Sequence, residues 1–449
     1  MKMKKFLALS MVTIMSVSLA ACGKSNTTKN EEPSNTKVTE APTQAEVTEA
    51  VVDTKNSGDT LVVAIWDTNQ EPGLTKILDE FTVATGIKTE IQVTPWAQYW
   101  TMLEAGATGG TLPDVFWMHS NQIATYSEYG MLLDLTDRIA ASDKIDLSKF
   151  PKDIVDIYNW QGTKQYAMPK DIDTVGLWYN KTMFDEAGVT YPDASWTWDD
   201  FRVACEKLTK DDGSQYGFAM DPATGQDQWY SLVYDMGGSI ISEDEKTSGF
   251  DQEGTVKAID FLVQLMKDGL TPDYATMAEN DPVALFEAGK IAMTTEGSWM
   301  LAGLCNNDYV KANGDVAVLP KDATTGRSAS IYNGLGWAAA ANAKNPEEAW
   351  ALIEYLGSQE AQQKQSDLGI VISAYEGTET NWINAYPDFN LQAYLDMMND
   401  LVIRPYSNST VTWEGMIYEK LVDAWTGEKS AADVCADIAK EMNTILAAE

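Results

Sequence analysis

From residue 60 onward the chain alternates apolar runs with segments of helical period. Thr60 to Trp66 is a continuous apolar run of the length of a buried strand. Leu74, Ile77, Leu78 and Phe81 follow at helical spacing, and Gly86 suits a helix stop. Ile87, Thr89, Ile91 and Val93 alternate as a second strand. A helical stretch around Tyr99 to Ala105 leads through Gly109 and Gly110 to a third strand, Asp114 to Met118. Strand, helix, strand, helix, strand predicts a parallel sheet with right-handed crossovers. Such sheets bind ligands beyond the carboxyl ends of their strands. Trp66, Asp67 and Asn69 fall there after the first strand, and Trp117 and Asn121 after the third, with Trp96, Tyr99 and Trp100 at the same edge.

The stretch from Met168 to Lys181 organises the rest. Pro169 biases Met168 toward extended backbone, so the segment enters as a strand. Ile172, Val175, Leu177 and Trp178 are apolar, yet the run opens on Lys170, Asp171 and Asp173. It reads as a crossover between two lobes, with its polar groups facing a cleft. Thr197 and Asp200 have capping-box spacing for a helix through about Leu208. Gln226 to Tyr230 precedes an apolar helix ending at Gly237 and Gly238, and Asp281-Pro282 caps a short helix that stops at Gly289. Ile291 to Thr295 reads as a strand with Glu296 and Trp299 beyond its carboxyl end, a carboxylate and an indole suited to a pocket. Ser330 to Trp337 is extended and Gly-rich, and Asn345-Pro346 starts a helix closed by Gly357. Leu368 to Ala374 is a third short extended piece. The remainder reads as helical apart from a loop, Arg404 to Trp413, and its last helix is capped by Ser430 with Asp433.

At 449 residues the chain calls for two or three domains, and 44% hydrophobic with 22% charged residues is a globular composition. A formal net charge of −35 repels nucleic acid phosphates and anionic lipid, so neither is expected as a partner. His119 is the one histidine, which removes multi-histidine zinc sites; no metal or cofactor is expected. No GxxxxGK[ST] stretch exists, against an ATPase.

The N-terminus carries Lys2, Lys4 and Lys5 before an apolar stretch, Phe6 to Ala20, too short to span a membrane stably. It ends in Leu19-Ala-Ala-Cys22-Gly23, which resembles the lipobox of bacterial lipoproteins. That resemblance implies a signal peptide of residues 1–21, a lipidated Cys22, and a protein held at the extracytoplasmic face of the membrane by that anchor alone. Residues 22–58 are poor in large apolar side chains and read as a flexible tether. Cys205, Cys305 and Cys435 are left, an odd number in apolar contexts, expected to pack as small hydrophobes.

The order and spacing of the pieces from Asp59 to the end resemble family 1 extracellular solute-binding proteins, the sugar receptors of bacterial ABC importers. The resemblance is carried by Leu112 to Trp117, the crossover Pro169 to Gly188, Ala284 to Met293 running to Trp299, Asn333 to Trp337, and the Asn345 to Trp350 helix start. It implies a two-lobed, periplasmic-binding-protein-like α/β fold. Each lobe would be a mainly parallel sheet flanked by helices, with three hinge crossovers near Pro169, Asn333 and Ile370. Residues 59–169 and 335–371 would form the N-terminal lobe, and 170–334 and 372–449 the C-terminal lobe. The implied function is a monomeric receptor, not an enzyme, that captures a sugar or oligosaccharide between the lobes for a membrane permease. By position, Asp173 matches a crossover carboxylate that takes ligand hydroxyls, and Trp229, Tyr230, Trp299 and Trp413 match aromatic platforms. Lys170, Glu296 and Asn333 complete the set with the first-lobe residues.

Sugar chemistry suits these residues, since indoles cover a pyranose's C–H face and carboxylates and amides bind its hydroxyl rim. A non-sugar solute on the same fold is the alternative. A glycosidase built on Asp67, Asp173 and Glu296 is a further one, set aside because the crossover pattern fits a hinged receptor.

Overall fold

The first apolar run forms strand β1 (Thr60–Ile65), buried over its last three residues. In a computed structural model, which describes residues 57–449, β1 is the middle of three parallel strands. Helix α1 (Glu71–Thr85) buries Leu74, Ile77, Leu78 and Phe81, and ends at Gly86, whose φ of 76° carries no Cβ penalty. It leads to β2 (Lys88–Val93); helix α2 (Trp96–Gly109) then leads to β3 (Val115–Met118). Because β2 is the sheet edge, its inner residues Thr89, Ile91 and Val93 are only half-buried. The expected signal peptide, Cys22 and all but the end of the tether lie outside the described residues.

The stretch from 168 to 181 is three strands, not one: β4 (Ala167–Pro169), β5 (Asp171–Ile172) and β6 (Val175–Asn180). Helix α3 (Trp198–Leu208) and strand β7 (Tyr216–Phe218) follow, then α4 (Tyr230–Asp235), β8 (Ile291–Gly297), β9 (Gly314–Ala317), β10 (Ser330–Tyr332) and β11 (Gly336–Ala339). Helices α5 (Pro346–Leu356) and α6 (Gln359–Asp367), strands β12 (Ile372–Ser373) and β13 (Leu401–Ile403), and helices α7 (Thr410–Trp425) and α8 (Ala431–Leu446) complete the labelled elements.

The first sheet has the order β2-β1-β3-β11-β4 and the second β9-β6-β8-β7. The two-lobed α/β arrangement and the mainly parallel sheets are as expected, each sheet having all of its strands but one running the same way. Strand β11 runs antiparallel to β3 and β4, and β6 runs antiparallel to β8 and β9. The reason is the hinge: strands leaving for the other lobe and strands arriving from it cross in opposite directions. Within these two sheets the strands paired directly in parallel are β1 with β2 and β3, and β7 with β8.

The three crossovers lie side by side. Strand β12 pairs with β5, Ile372 opposite Ile172, and Asp173 bridges Asn333 in the link between β10 and β11. The Lys170 N–H donates to the Leu335 carbonyl at 2.8 Å, and the Asp173 N–H to the Asn333 carbonyl at 2.9 Å.

Two expectations for the C-terminal region fail. β13 is a strand, parallel to β10, and Trp413 lies in the first turn of α7 instead of a loop. Leu401-Val402-Ile403 is too short to register against a helical period, and its pairing partner is remote in sequence. The capping box does form. The Asp200 N–H donates to Thr197 Oγ1 at 3.2 Å and the Thr197 N–H to Asp200 Oδ2 at 2.9 Å. Thr197→Ala is expected to lower stability by about 1 kcal/mol, read from the urea midpoint. Cys205, Cys305 and Cys435 are unpaired and buried, and burial raises all three thiols, so they pack as small apolar groups.

Candidate ligand-binding cleft

The floor of the candidate cleft is the crossover bundle, where every residue from 165 to 180 is buried. The charged start of the crossover is therefore not solvated. Lys170 Nζ lies 2.5 Å from Asp171 Oδ2, donates to Gln70 Oε1 at 3.0 Å, and sits 4.6 Å from the Trp117 ring centroid. That cation–π contact joins β4's exit to the end of β3 and occupies one side of the Trp117 indole.

Asp173 and Asn333 face each other across the bridge. Asp173 Oδ1 accepts from the Asn333 N–H at 3.0 Å, and Gln226 Nε2 donates to both its oxygens at 3.3 and 3.4 Å. Burial first, and then the Asp171 charge, hold the Asp173 carboxyl well above the usual carboxylate range. The Asn333 amide Nδ2 meets His119 Nε2 at 3.1 Å, and His119 Nδ1 meets Asn121 Oδ1 at 2.8 Å. The Asn121 N–H also lies 3.2 Å from His119 Nδ1, so Asn121 engages that nitrogen through both its main chain and its side chain. Burial, aided by the nearby Arg404 charge, holds the His119 pKa down at about 3, so the ring carries no charge at physiological pH.

On the first lobe an aromatic cluster rises from this floor. Trp66 is half-buried and meets Trp96, Tyr99 and Trp117 nearly edge-on, with centroids 5.0, 5.0 and 4.8 Å away. Trp96 lies 5.4 Å from the His119 ring and is 43% exposed, which makes it the open end of the cluster. Asp67 shapes the loop after β1: Oδ1 accepts from the Asn69 N–H at 2.8 Å and Oδ2 from Gln70 Nε2 at 3.0 Å. Asn69 reaches the second lobe, its Nδ2 lying 3.3 Å from where a Cβ on Gly303 would stand.

On the second lobe, Glu296 is buried at the end of β8, accepting from Thr294 Oγ1 at 3.2 Å and Gln228 Nε2 at 3.5 Å. Burial and the neighbouring Asp227 raise its pKa strongly. Asp227 is itself buried, pushed up to about 7 chiefly by burial, and its Oδ1 has no hydrogen-bond partner. Because the folded carboxyl binds its proton more tightly than the unfolded one, it favours the fold at low pH. That contribution is lost as the pH rises from about 4 to about 7. Asp227→Asn should therefore gain on the wild type between pH 5 and pH 8 in urea midpoint; a pH-independent difference would contradict the assignment.

Trp299 is half-buried, and its ring lies against Gly297, where a Cβ would come within 2.1 Å of it. Trp229, Tyr230 and Trp413 are fully buried. Trp413 Nε1 donates to Ser407 Oγ at 2.9 Å and Tyr230 Oη to Glu414 Oε1 at 3.1 Å, while Trp229 packs edge-on against Tyr230. The structure thus gathers Trp66, Asp67, Asn69, Trp117, Asn121, Lys170, Asp173 and Asn333 around the crossovers. It sets Trp229, Tyr230 and Trp413 in a packed layer of the second lobe. Gln226 and Arg404 were not singled out from the sequence and stand at the centre of these contacts; no local pattern distinguishes them.

The family model described as bacterial extracellular solute-binding protein matches residues 67–363. The galactooligosaccharide-binding protein of Bacillus subtilis is 27% identical over 372 residues, covering 80% of this chain and 78% of its own. The multiple sugar-binding protein of Streptococcus mutans is 24% identical over 379 residues, 81% of each chain. Among solved structures, an ABC substrate-binding protein from Listeria monocytogenes in complex with cycloalternan superposes with a TM-score of 0.79 at 24% identity. The match covers 86% of this chain and 99% of that one. The GacH receptor of Streptomyces glaucescens gives a TM-score of 0.73 at 21% identity over 86% and 98%. Matched by the family model over more than half its length, this chain belongs to the bacterial extracellular solute-binding protein family.

Proposed function

We propose that this solute-binding protein captures a sugar or oligosaccharide between its lobes and hands it to the permease of an ABC importer. The observation that carries this is the juxtaposition at the crossovers. An aromatic cluster opening at Trp96 and Trp66 stands against His119, which links it to Asn121 and Asn333 and through Asn333 to Asp173, side chains of hydroxyl-complementary type. The relatives named for galactooligosaccharides and multiple sugars support the same class. In this reading Trp66, Asn69, Asn121, Asp173, Glu296, Trp299 and Asn333 contact ligand. Lys170, Trp117 and Asp67 hold the floor, and Trp229, Tyr230 and Trp413 stiffen the second lobe behind it. The lobes are residues 59–169 with 335–371, and 170–334 with 372–449. The ligand leaves unreacted, and a lipid on Cys22 with the tether of residues 22–58 keeps the receptor at the extracytoplasmic membrane face.

The test is a thermal-shift screen with maltotriose, galactotriose and raffinose beside amino acids, peptides and polyamines. A ligand at a hundred times its Kd adds about 2.7 kcal/mol to the native state and raises the midpoint. A rise with a sugar supports the reading; a rise only with a non-sugar solute, or new reducing ends on incubation, overturns it.

A further inference from the structure

Arg404 differs from the other three arginines. Arg138, Arg202 and Arg327 are only half-buried, and each pairs with a carboxylate at the surface. Arg404 is 4% exposed. Its backbone N–H donates to the Tyr332 carbonyl at 2.8 Å, which places it at the end of β13 beside Asn333, the next residue after β10. Nη2 donates to Glu414 Oε1 at 2.5 Å, and the same oxygen accepts from Tyr230 Oη. Nη1 reaches the Pro405 carbonyl at 3.5 Å. Nε has no partner.

Asn333 shows the complementary pattern. Its N–H is held by Asp173 and its Nδ2 by His119, while Oδ1 has no partner although the residue is fully buried. A donor and an acceptor therefore stand unsatisfied on neighbouring residues at one end of the paired strands β10 and β13. Unpaired buried polar atoms are costly, and a hydroxyl is a group that accepts from one and donates to the other at once. An anion is disfavoured, because Glu414 already answers the guanidinium charge and the Asp173 carboxyl sits against the Asn333 N–H.

We propose that Arg404 Nε and Asn333 Oδ1 together hold one hydroxyl of the bound ligand, which makes Arg404 a specificity-determining contact for uncharged, hydroxyl-bearing solutes. Tyr230 and Glu414 then act through Arg404, fixing the guanidinium so that its Nε edge is presented. This assignment rests on the sugar reading above.

The experiment uses the full chain labelled with ¹⁵N-arginine. Four arginines give four Nε–H signals, and the one protected from exchange belongs to the buried Arg404. Maltotriose, galactotriose and raffinose are titrated in turn, with calorimetry on the wild type and on Arg404→Lys, which keeps the charge opposite Glu414 but loses Nε. The expected result is a downfield shift of the protected signal with the sugar that binds, and a loss of about tenfold in affinity for Arg404→Lys at an unchanged melting midpoint. A purely structural arginine would lower the midpoint and leave the affinity of the folded protein alone. If a sugar binds and the protected signal stays in place, the assignment is overturned while the sugar reading stands. If none of the sugars binds, that reading falls and takes this one with it. Should Arg404→Lys fail to fold, the wild-type titration decides alone.

Discussion

Replacing Lys170 with methionine is expected to lower stability by about 3–5 kcal/mol, the cost of breaking a buried ion pair by removing one partner. Methionine keeps the length of the stem, so lost volume is not the cause. What changes is that Asp171 loses the cation 2.5 Å from its Oδ2, in a site where both side chains are nearly free of solvent. Its other oxygen, Oδ1, is held by the Leu335 N–H at 2.7 Å, so the carboxylate cannot turn away toward water. Gln70 loses its partner across the cleft floor, and the Trp117 ring loses the charge above it. The double variant with Asp171→Asn should recover part of the loss, because it removes the stranded charge. Urea midpoints of the two variants check this. A loss under about 1 kcal/mol for Lys170→Met would put the pair in the class of solvated surface bridges.

Gly334→Ala is expected to be the second most damaging change, at about 3 kcal/mol, and to weaken ligand binding with it. An alanine Cβ there would lie 2.1 Å from the Asp171 carbonyl oxygen and 3.0 Å from Ile154 Cγ2. The first of these is backbone, and β5 is held in the crossover by its pairing with β12, so relief requires moving one crossover against another. Gly415→Ala is the control, since nothing lies within 4 Å of its Cβ position in the interior of α7. There the substitution should stabilise by about 0.5–1 kcal/mol, the helix preference of alanine over glycine. Similar effects at the two sites would mean that space at Gly334 is not what selects glycine.

Both expectations concern the hinge, where the sequence was partly readable. Met168 to Lys181 stood out as a crossover because charged residues opened an apolar run. The distant partners at the crossover could not be read, since Gln70 and Lys170 are 100 residues apart and Asn333 and His119 are 214 apart. The tryptophans show the same limit. Trp66 and Trp413 look alike in sequence, each beside an acidic residue, yet one is half-buried among first-lobe rings and the other fully buried with its N–H on Ser407.

By itself the sequence determined whatever depends on near neighbours. The β1-α1-β2-α2-β3 unit followed from apolar period, the start of α3 from a reciprocal Thr197–Asp200 pair, and that of α5 from Asn345-Pro346. Tertiary structure alone decided the antiparallel entry of β6 and β11, the existence of β13, and the meeting of His119, Gln226 and Arg404 at the crossovers. The physical reason is that a backbone period is set by residues a turn or a pleat away. Which face of a side chain meets a cleft is set by strands that come together only when distant parts of the chain have folded.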